Sequence, residues 1–339
     1  MLSTIILVAS FLGLLLLSVV FWALFLRLGL RWAKVPDVTT RRVIFATIVL
    51  IVLQVALNVL FLLASPSSEL QSLFLALVVL AAALLVPCLV IREVFGARFL
   101  RAVQAWLPTQ LASAPIVALV LLVFRPFLFE AFVIPTNAMA PTLVGNHRQG
   151  VCPKCGQPNY CSPIDERFGA SDPPQMICDQ FHVVQAPSID NRVHSADRLL
   201  AAKFLTPRRW DLIVFRYPGN PSKMYVKRLV GLPGEKIHIE DGMVWINGER
   251  QTPPDSIRGI EYLSRFPDWD GPVSGSIDRP AQLRDDEYFV LGDFSAQSQD
   301  SRFWEKGAPG HNSFAVPKSY LNGVVTHIYW PSHRWRILR

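Results

Sequence analysis

Apolar positions follow two different patterns along this chain. Over residues 1–130 they form long unbroken runs, "STIILVASFLGLLLLSVVFWALF", "VIFATIVLIVLQVALNVLFLLA" and "SLFLALVVLAAALLVPCLVI". Each reaches the roughly 20 residues that cross a bilayer as a helix. A fourth run, "ASAPIVALVLLVFRPFLF", is interrupted by Arg125, which can snorkel to an interface, so about four spanning helices are expected. After Ile134 the runs shorten and are punctuated by Gly, Pro, Asn and Asp, which predicts an all-β domain over 131–339. The strand candidates are "DLIVFRY", "MYVKRLVGL", "KIHIE", "MVWING", "EYFVLGD" and "GVVTHIYW". Asp241-Gly242 in "EDGMVWINGE" supplies the positive φ of a tight hairpin turn between alternating flanks. Two stretches read as insertions between strands: 144–196, which holds four of the five cysteines, and 251–284, rich in Pro, Asp and Ser. The expected fold class is therefore a multi-span α-helical membrane region followed by an all-β extramembrane domain.

Composition agrees with a membrane protein, since 51% of residues are hydrophobic and 17% charged. The first run starts uncharged and runs long, so it is read as an anchor and not as a cleavable signal sequence. The first loop carries Arg27, Arg31, Lys34, Arg41 and Arg42 and the third Arg92, Arg98 and Arg101, whereas the second, "SPSSEL", has no positive charge. Loops one and three are then cytoplasmic, and the C-terminal domain is expected on the extracytoplasmic side of the cell (inner) membrane. The net charge of +7 does not point to nucleic acid: residues 1–130 hold 9 Lys+Arg against 4 Asp+Glu, and 131–339 hold 24 against 22. The excess is mostly the positive-inside bias, and no basic block interleaved with aromatics is present. The partner these observations imply is membrane lipid.

"CPKCG", Cys152 to Gly156, has the form of a metal knuckle, two thiols two residues apart on a Pro/Gly turn. One knuckle supplies half of a tetrahedral site; Cys178 is the expected third ligand, and His182 or Cys161 the fourth. Structural zinc is the preferred reading, and one or two disulfides the alternative that an exported location permits. Cys88 lies within the third span and reads as a small packing residue. No His-Glu-x-x-His is present, which argues against a metalloprotease.

Further motifs stand in a fixed order: "FVIPTNAMAPTL" (132–143), "ADRLLAAKF", "RRWDLIVFRYPGN", "YVKRLVGLPGE" (225–235), "LGDFSAQSQDSRFW" (291–304) and "VPKSYLNGVVTHIYWP". Together they resemble the type I signal peptidases, whose nucleophile segment reads roughly Ile-Pro-Ser-x-Ser-Met-x-Pro-Thr-Leu. The resemblance implies a membrane-anchored serine endopeptidase that removes signal peptides from exported proteins with a Ser/Lys dyad on a β-rich fold, without a catalytic cofactor. It places Lys227 on the general base, Arg228 on the basic residue after it, and Ser298, Asp300 and Arg302 on the groups that orient the lysine and brace the site. Thr136 falls on the oxyanion-hole hydroxyl, and Met139, Pro141 and Thr142 also match.

The nucleophile position is Ala138. Alanine offers no lone pair, and loss of a catalytic serine costs on the order of 10⁶ in turnover, or about 8 kcal/mol of barrier. On an extended strand Thr136 would point to the same side as Ala138, about 6.5 Å away, beyond the reach needed for attack. Three readings follow: a signal peptidase with an unusual nucleophile, a non-catalytic relative that binds peptides or a partner, and a structural role centred on the cysteine insertion.

Overall fold

The computed structural model describes residues 2–63, 69–162, 175–185, 189–266 and 271–339. The chain forms two compact units, Met1–Arg125 and Pro126–Arg339.

The first unit is helical: α1 (Leu2–Trp32), α2 (Thr40–Leu63), α3 (Glu69–Phe95), α4 (Phe99–Trp106) and α5 (Ser113–Leu119). Four helical segments, Thr4–Trp32, Thr40–Leu57, Leu77–Phe95 and Phe99–Leu128, are long and apolar enough to cross a membrane. Large apolar side chains such as Phe11, Leu16, Phe45 and Leu77 are exposed, as expected where lipid is the solvent. The protein is a membrane protein.

The fourth span forms over Phe99–Leu128, but its helix is not regular. A 3-10 turn, Leu107–Leu111, separates α4 from α5, and α5 runs on into wide π-type turns over Val120–Leu128. Pro108 and Pro126 lack the N–H that a continuous helix needs, so the ladder loosens at both. The third loop is also shorter than expected. Gly96, at φ 63, ends α3 in the left-handed conformation that glycine adopts without cost. Arg98 then precedes α4, and Arg101 on α4 donates to the Lys34 carbonyl at 3.2 Å. Helix α1 meets α4 closely because both present small residues: a Cβ on Gly29 would lie 2.0 Å from the Ala105 carbonyl oxygen, and Ala102 and Ala105 are fully buried.

The second unit is β-rich. Its strands are β1 (Phe129–Val133), β2 (Arg148–Val151), β3 (Pro158–Cys161), β4 (Gln175–Cys178), β5 (Val183–Gln185), β6 (Arg198–Ala202), β7 (Leu212–Tyr217), β8 (Asn220–Gly231), β9 (Lys236–Glu240), β10 (Met243–Ile246), β11 (Glu249–Arg250), β12 (Ala281–Gln282), β13 (Glu287–Leu291), β14 (Val316–Pro317), β15 (Leu321–Trp330) and β16 (Arg336–Ile337). The main sheet runs β1-β6-β15-β7-β8-β13-β14, with β16 paired to β15; β11-β10-β9-β12 and β2-β3-β4-β5 form two smaller sheets.

Strand β7 reads as a continuous apolar run because both of its faces are covered. Leu212 and Val214 pack with Met139, Leu143 and Val325, while Ile213 and Phe215 pack on the other side with Leu229, Val290 and Trp304. The β9–β10 hairpin closes at Asp241 (φ 48) and Gly242 (φ 75), as the sequence predicts. Asn247 (φ 51) and Gly248 (φ 88) then turn β10 into β11, where the sequence reading had continued the strand.

If the α1–α4 contact holds the helical unit together, Gly29→Val must force the helices apart, at a cost of about 1–3 kcal/mol. A lower thermal midpoint in detergent is expected, with Gly13→Val unchanged because a Cβ there meets nothing within 4 Å.

Candidate active site

The wall of the site begins where β1 ends. After Ile134-Pro135 the chain enters a turn, so the extended geometry expected for Thr136 to Ala138 is not what forms. Ala140 N–H donates to the Asn137 carbonyl at 2.9 Å, and Leu143 N–H to the Met139 carbonyl at 2.9 Å. The Asn137 side chain fastens this turn to the following loop: its Oδ1 accepts from Gly145 N–H at 2.8 Å, and its Nδ2 donates to the Asn146 carbonyl at 2.9 Å and to Ser162 Oγ at 3.2 Å. Met139 and Leu143 meanwhile enter the core against β6, β7 and β15.

Strand β8 supplies two cations on opposite faces. Lys227 pairs with Ile213 and Arg228 with Leu212, so the pleat separates their side chains. Arg228 is clamped by Asp293, with Nε–Oδ1 at 2.7 Å and a second guanidinium nitrogen on Oδ2 at 2.5 Å. It also donates to the Trp210 carbonyl at 2.7 Å and to Thr142 Oγ1 at 3.3 Å. Lys227 turns the other way. It lines a cleft of about 630 Å³ with Thr136, Ala138, Ser162, Gln297 and Gln299. The lysine is only 4% exposed, and its Nζ stands 5.8 Å from the Tyr225 ring centroid.

The third component follows β13. Phe294 N–H donates to the Ala138 carbonyl at 3.1 Å, and Gly292 N–H donates to Asp300 Oδ2 at 2.9 Å. Gly292 is required sterically, since a Cβ there would lie 2.0 Å from Ser298 Oγ and 2.6 Å from the Ala138 carbonyl oxygen. Asp300 and Arg302 form a fully buried bidentate pair at 2.8 and 2.7 Å. Arg302 also donates to Ser295 Oγ and to the Leu263 carbonyl, each at 2.7 Å. Burial alone would raise the Asp300 pKa; Arg302 and the nearby charge of Lys227 outweigh it and hold the carboxyl below its ordinary value.

A family model described as "Signal peptidase, peptidase S26" matches residues 175–330. Signal peptidase I of Pseudomonas fluorescens is 28% identical over 235 residues, covering 63% of this chain and 70% of that protein. Signal peptidase I of Rickettsia prowazekii (strain Madrid E) is 26% identical over 243 residues, with 65% and 81% covered. Over these residues the chain is similar to the type I signal peptidases. Among solved structures, a signal peptidase I from Enterococcus faecalis V583 matches at 26% identity over 36% of this chain and 98% of its own, with a TM-score of 0.26.

Within this signal peptidase relative, Thr136, Ala138 and Lys227 share one cleft, and Ser298 and Asp300 lie directly behind it. Ser298 is fully buried. Arg302 faces the protein interior and acts on the cleft through Asp300. Nothing in the sequence assigns a role to Asn137, Asp293 or Ser295. Asp293 stood in the quoted "LGDF", but an acidic residue beside glycine does not announce its partner, and Arg228 is 65 positions away.

The insertion contains a second constellation. Cys152, Cys155, Cys178 and His182 bring their ligand atoms within 4.8 Å of one another. Gly156 (φ 70) completes the knuckle, and its N–H donates to the Cys152 carbonyl at 2.8 Å. Thiolates about 2.3 Å from a tetrahedral ion stand about 3.8 Å apart; Cys155 Sγ and Cys178 Sγ are separated by 3.7 Å, and Cys152 Sγ and His182 Nδ1 by 4.0 Å. This donor set is compatible with structural zinc. Cys161 is not part of it, packing instead with Met176 and Ile189; between the two candidates for the fourth position the structure selects His182. All five cysteines are free. Burial raises the Cys152 thiol, but hydrogen bonds from the Lys154 and Cys155 backbone and from the Cys155 and His182 side chains bring it down to about 7. Cys178 is pushed up to about 11, by burial first and then by the neighbouring thiols.

Asp300→Asn leaves Arg302 buried without its countercharge and is expected to cost about 3–5 kcal/mol, read as a lower unfolding midpoint. Because the folded-state pKa of Asp300 lies below the unfolded value of about 3.9, its contribution is complete above that pH and is lost as pH falls through the folded-state value. The wild type should therefore lose more stability on acidification than the Asn variant.

Proposed function

We propose that this signal peptidase relative receives the signal-peptide region of exported proteins in the Lys227 cleft and holds it without cutting it. The observation that carries this reading is the methyl group of Ala138 at the point where the family's serine attacks. A lysine activates a nucleophile only when neutral; Lys227 is buried at the cleft wall, but Ala138 gives it no hydroxyl to deprotonate. Thr136, on the family's oxyanion-hole position, lines the same cleft, which supports a second reading in which its hydroxyl attacks. The helical unit anchors the protein among membrane lipids, and the Arg and Lys residues of loops one and three support an extracytoplasmic position for the β-rich unit.

Cys152, Cys155, Cys178 and His182 further support one structural Zn²⁺ in the insertion. A disulfide is less well supported, because its sulfurs would have to approach to about 2.05 Å. The site is remote from Lys227 in sequence and closed in donor type, so the ion's contribution is to folding, not to hydrolysis.

The full chain, purified in detergent, is expected to leave intact a preprotein with small residues at the first and third positions before the cut. Ala138→Ser should gain cleavage, and adding Lys227→Ala should abolish it. Cleavage by the native protein that disappears in Lys227→Ala would overturn the binding-only reading, and its loss in Thr136→Val would assign the attack to that hydroxyl. For the insertion, elemental analysis is expected to find one zinc per chain, lost in Cys178→Ser; four reactive thiols without metal would count against it.

A further inference from the structure

The insertion is not a loose appendage. It reaches the cleft wall through residues next to the four metal donors. In β4 the pleat sends alternate residues to opposite faces, so Cys178 joins the donor cluster while Ile177 faces away from it. Ile177 lies opposite Tyr160 of β3, and together they pack against Ala140, Val144 and Phe294. Ala140 and Val144 belong to the turn that presents Ala138, and Phe294 donates the hydrogen bond to the Ala138 carbonyl.

A second contact leaves the same site. The loop between donors Cys178 and His182 is a tight turn, closed by Phe181 N–H to the Cys178 carbonyl at 2.8 Å and Cys178 N–H to the His182 carbonyl at 3.2 Å. Phe181, at φ 60, packs against the cleft-wall cluster and also against the core that contains Ile260 and Tyr262. A third connection is polar, Asn137 Nδ2 to Ser162 Oγ, just beyond β3.

Resting on the zinc reading above, we propose that the ion at Cys152, Cys155, Cys178 and His182 braces the cleft, setting the rigidity of the Ala138 wall through Ile177, Tyr160 and Phe181. The knuckle contributes two thiols, β4 one and the turn after β4 the imidazole, so one ion would tie the knuckle to the β4–β5 hairpin. The strands of this sheet are only 3 or 4 residues long, and a structural metal contributes folding free energy directly. Ile177, Tyr160 and Phe181 are positioning residues on this view; none of them lines the cleft.

Hydrogen exchange read by mass spectrometry on the full chain in detergent tests this, with zinc content measured on the same samples as purified, after chelation and after reloading with zinc sulfate. The amides of Ala140, Leu143 and Phe294 are expected to exchange about tenfold faster once the metal is removed and to recover on reloading, while those of Phe215 and Val324, in a core that none of the three bracing residues enters, are unchanged. Ile177→Ala should keep its zinc and show the same acceleration. Full loss of zinc with those amides unmoved overturns the brace and leaves the zinc site standing. Acceleration everywhere overturns it too, since the ion would then support the whole unit. Absence of any retained or acquired zinc removes both the site and the brace. Retained protection in the Ile177 variant overturns the route assigned here.

Discussion

One backbone hydrogen bond, from Phe294 N–H to the carbonyl of Ala138, joins parts of the chain that nothing local would bring together. It requires the bare Cα of Gly292, because any side chain there would occupy the space of Ser298 Oγ and the Ala138 carbonyl. Once this contact is made, Ala138 has a fixed place relative to the segment that carries Ser298 and Asp300. Lys227, on the strand beside β13, then faces the same cleft. The arrangement is one of position and does not depend on the chemistry of residue 138.

Two buried arginine–aspartate pairs hold that position. Arg228–Asp293 ties β8 to the Gly292 segment and reaches Thr142 in the turn; Arg302–Asp300 ties the far end of the segment to Ser295 and Leu263. Burying such ions carries a large desolvation cost, and only complete hydrogen bonding offsets it. Both arginines achieve this by adding carbonyl and hydroxyl acceptors to the carboxylate. The frame thus serves to keep a cleft in shape.

The cysteine-rich insertion adds to this frame. Its short sheet contributes Tyr160 and Ile177 to the cluster behind the turn, and its loop contributes Phe181 to two cores at once. The second stretch that composition sets apart behaves in the same way: Ile257, Ile260 and Tyr262 are buried, the last two within the core built on β9 and β10. Polar, Pro-rich composition marks where a segment meets water along part of its length and says little about the few apolar residues it inserts.

Much of this was legible in the sequence, where the controlling physics is local. Unbroken apolar runs of this length read as membrane helices, alternating runs broken by Asp-Gly read as hairpins, and a Cys-x-x-Cys turn sets two thiols side by side. The tertiary structure decided what depends on distant partners. It chose His182 over Cys161, because the β3–β4 register sets Cys161 beside Met176, two residues along from Cys178, and it bent Thr136 to Ala138 into a turn through the hold of Asn137. It also broke the fourth span at its prolines, and it gave Arg228 the carboxylate of Asp293. Spacing along a chain fixes which groups can be neighbours within a turn of helix or a pleat of strand; beyond that reach, packing alone determines which groups meet.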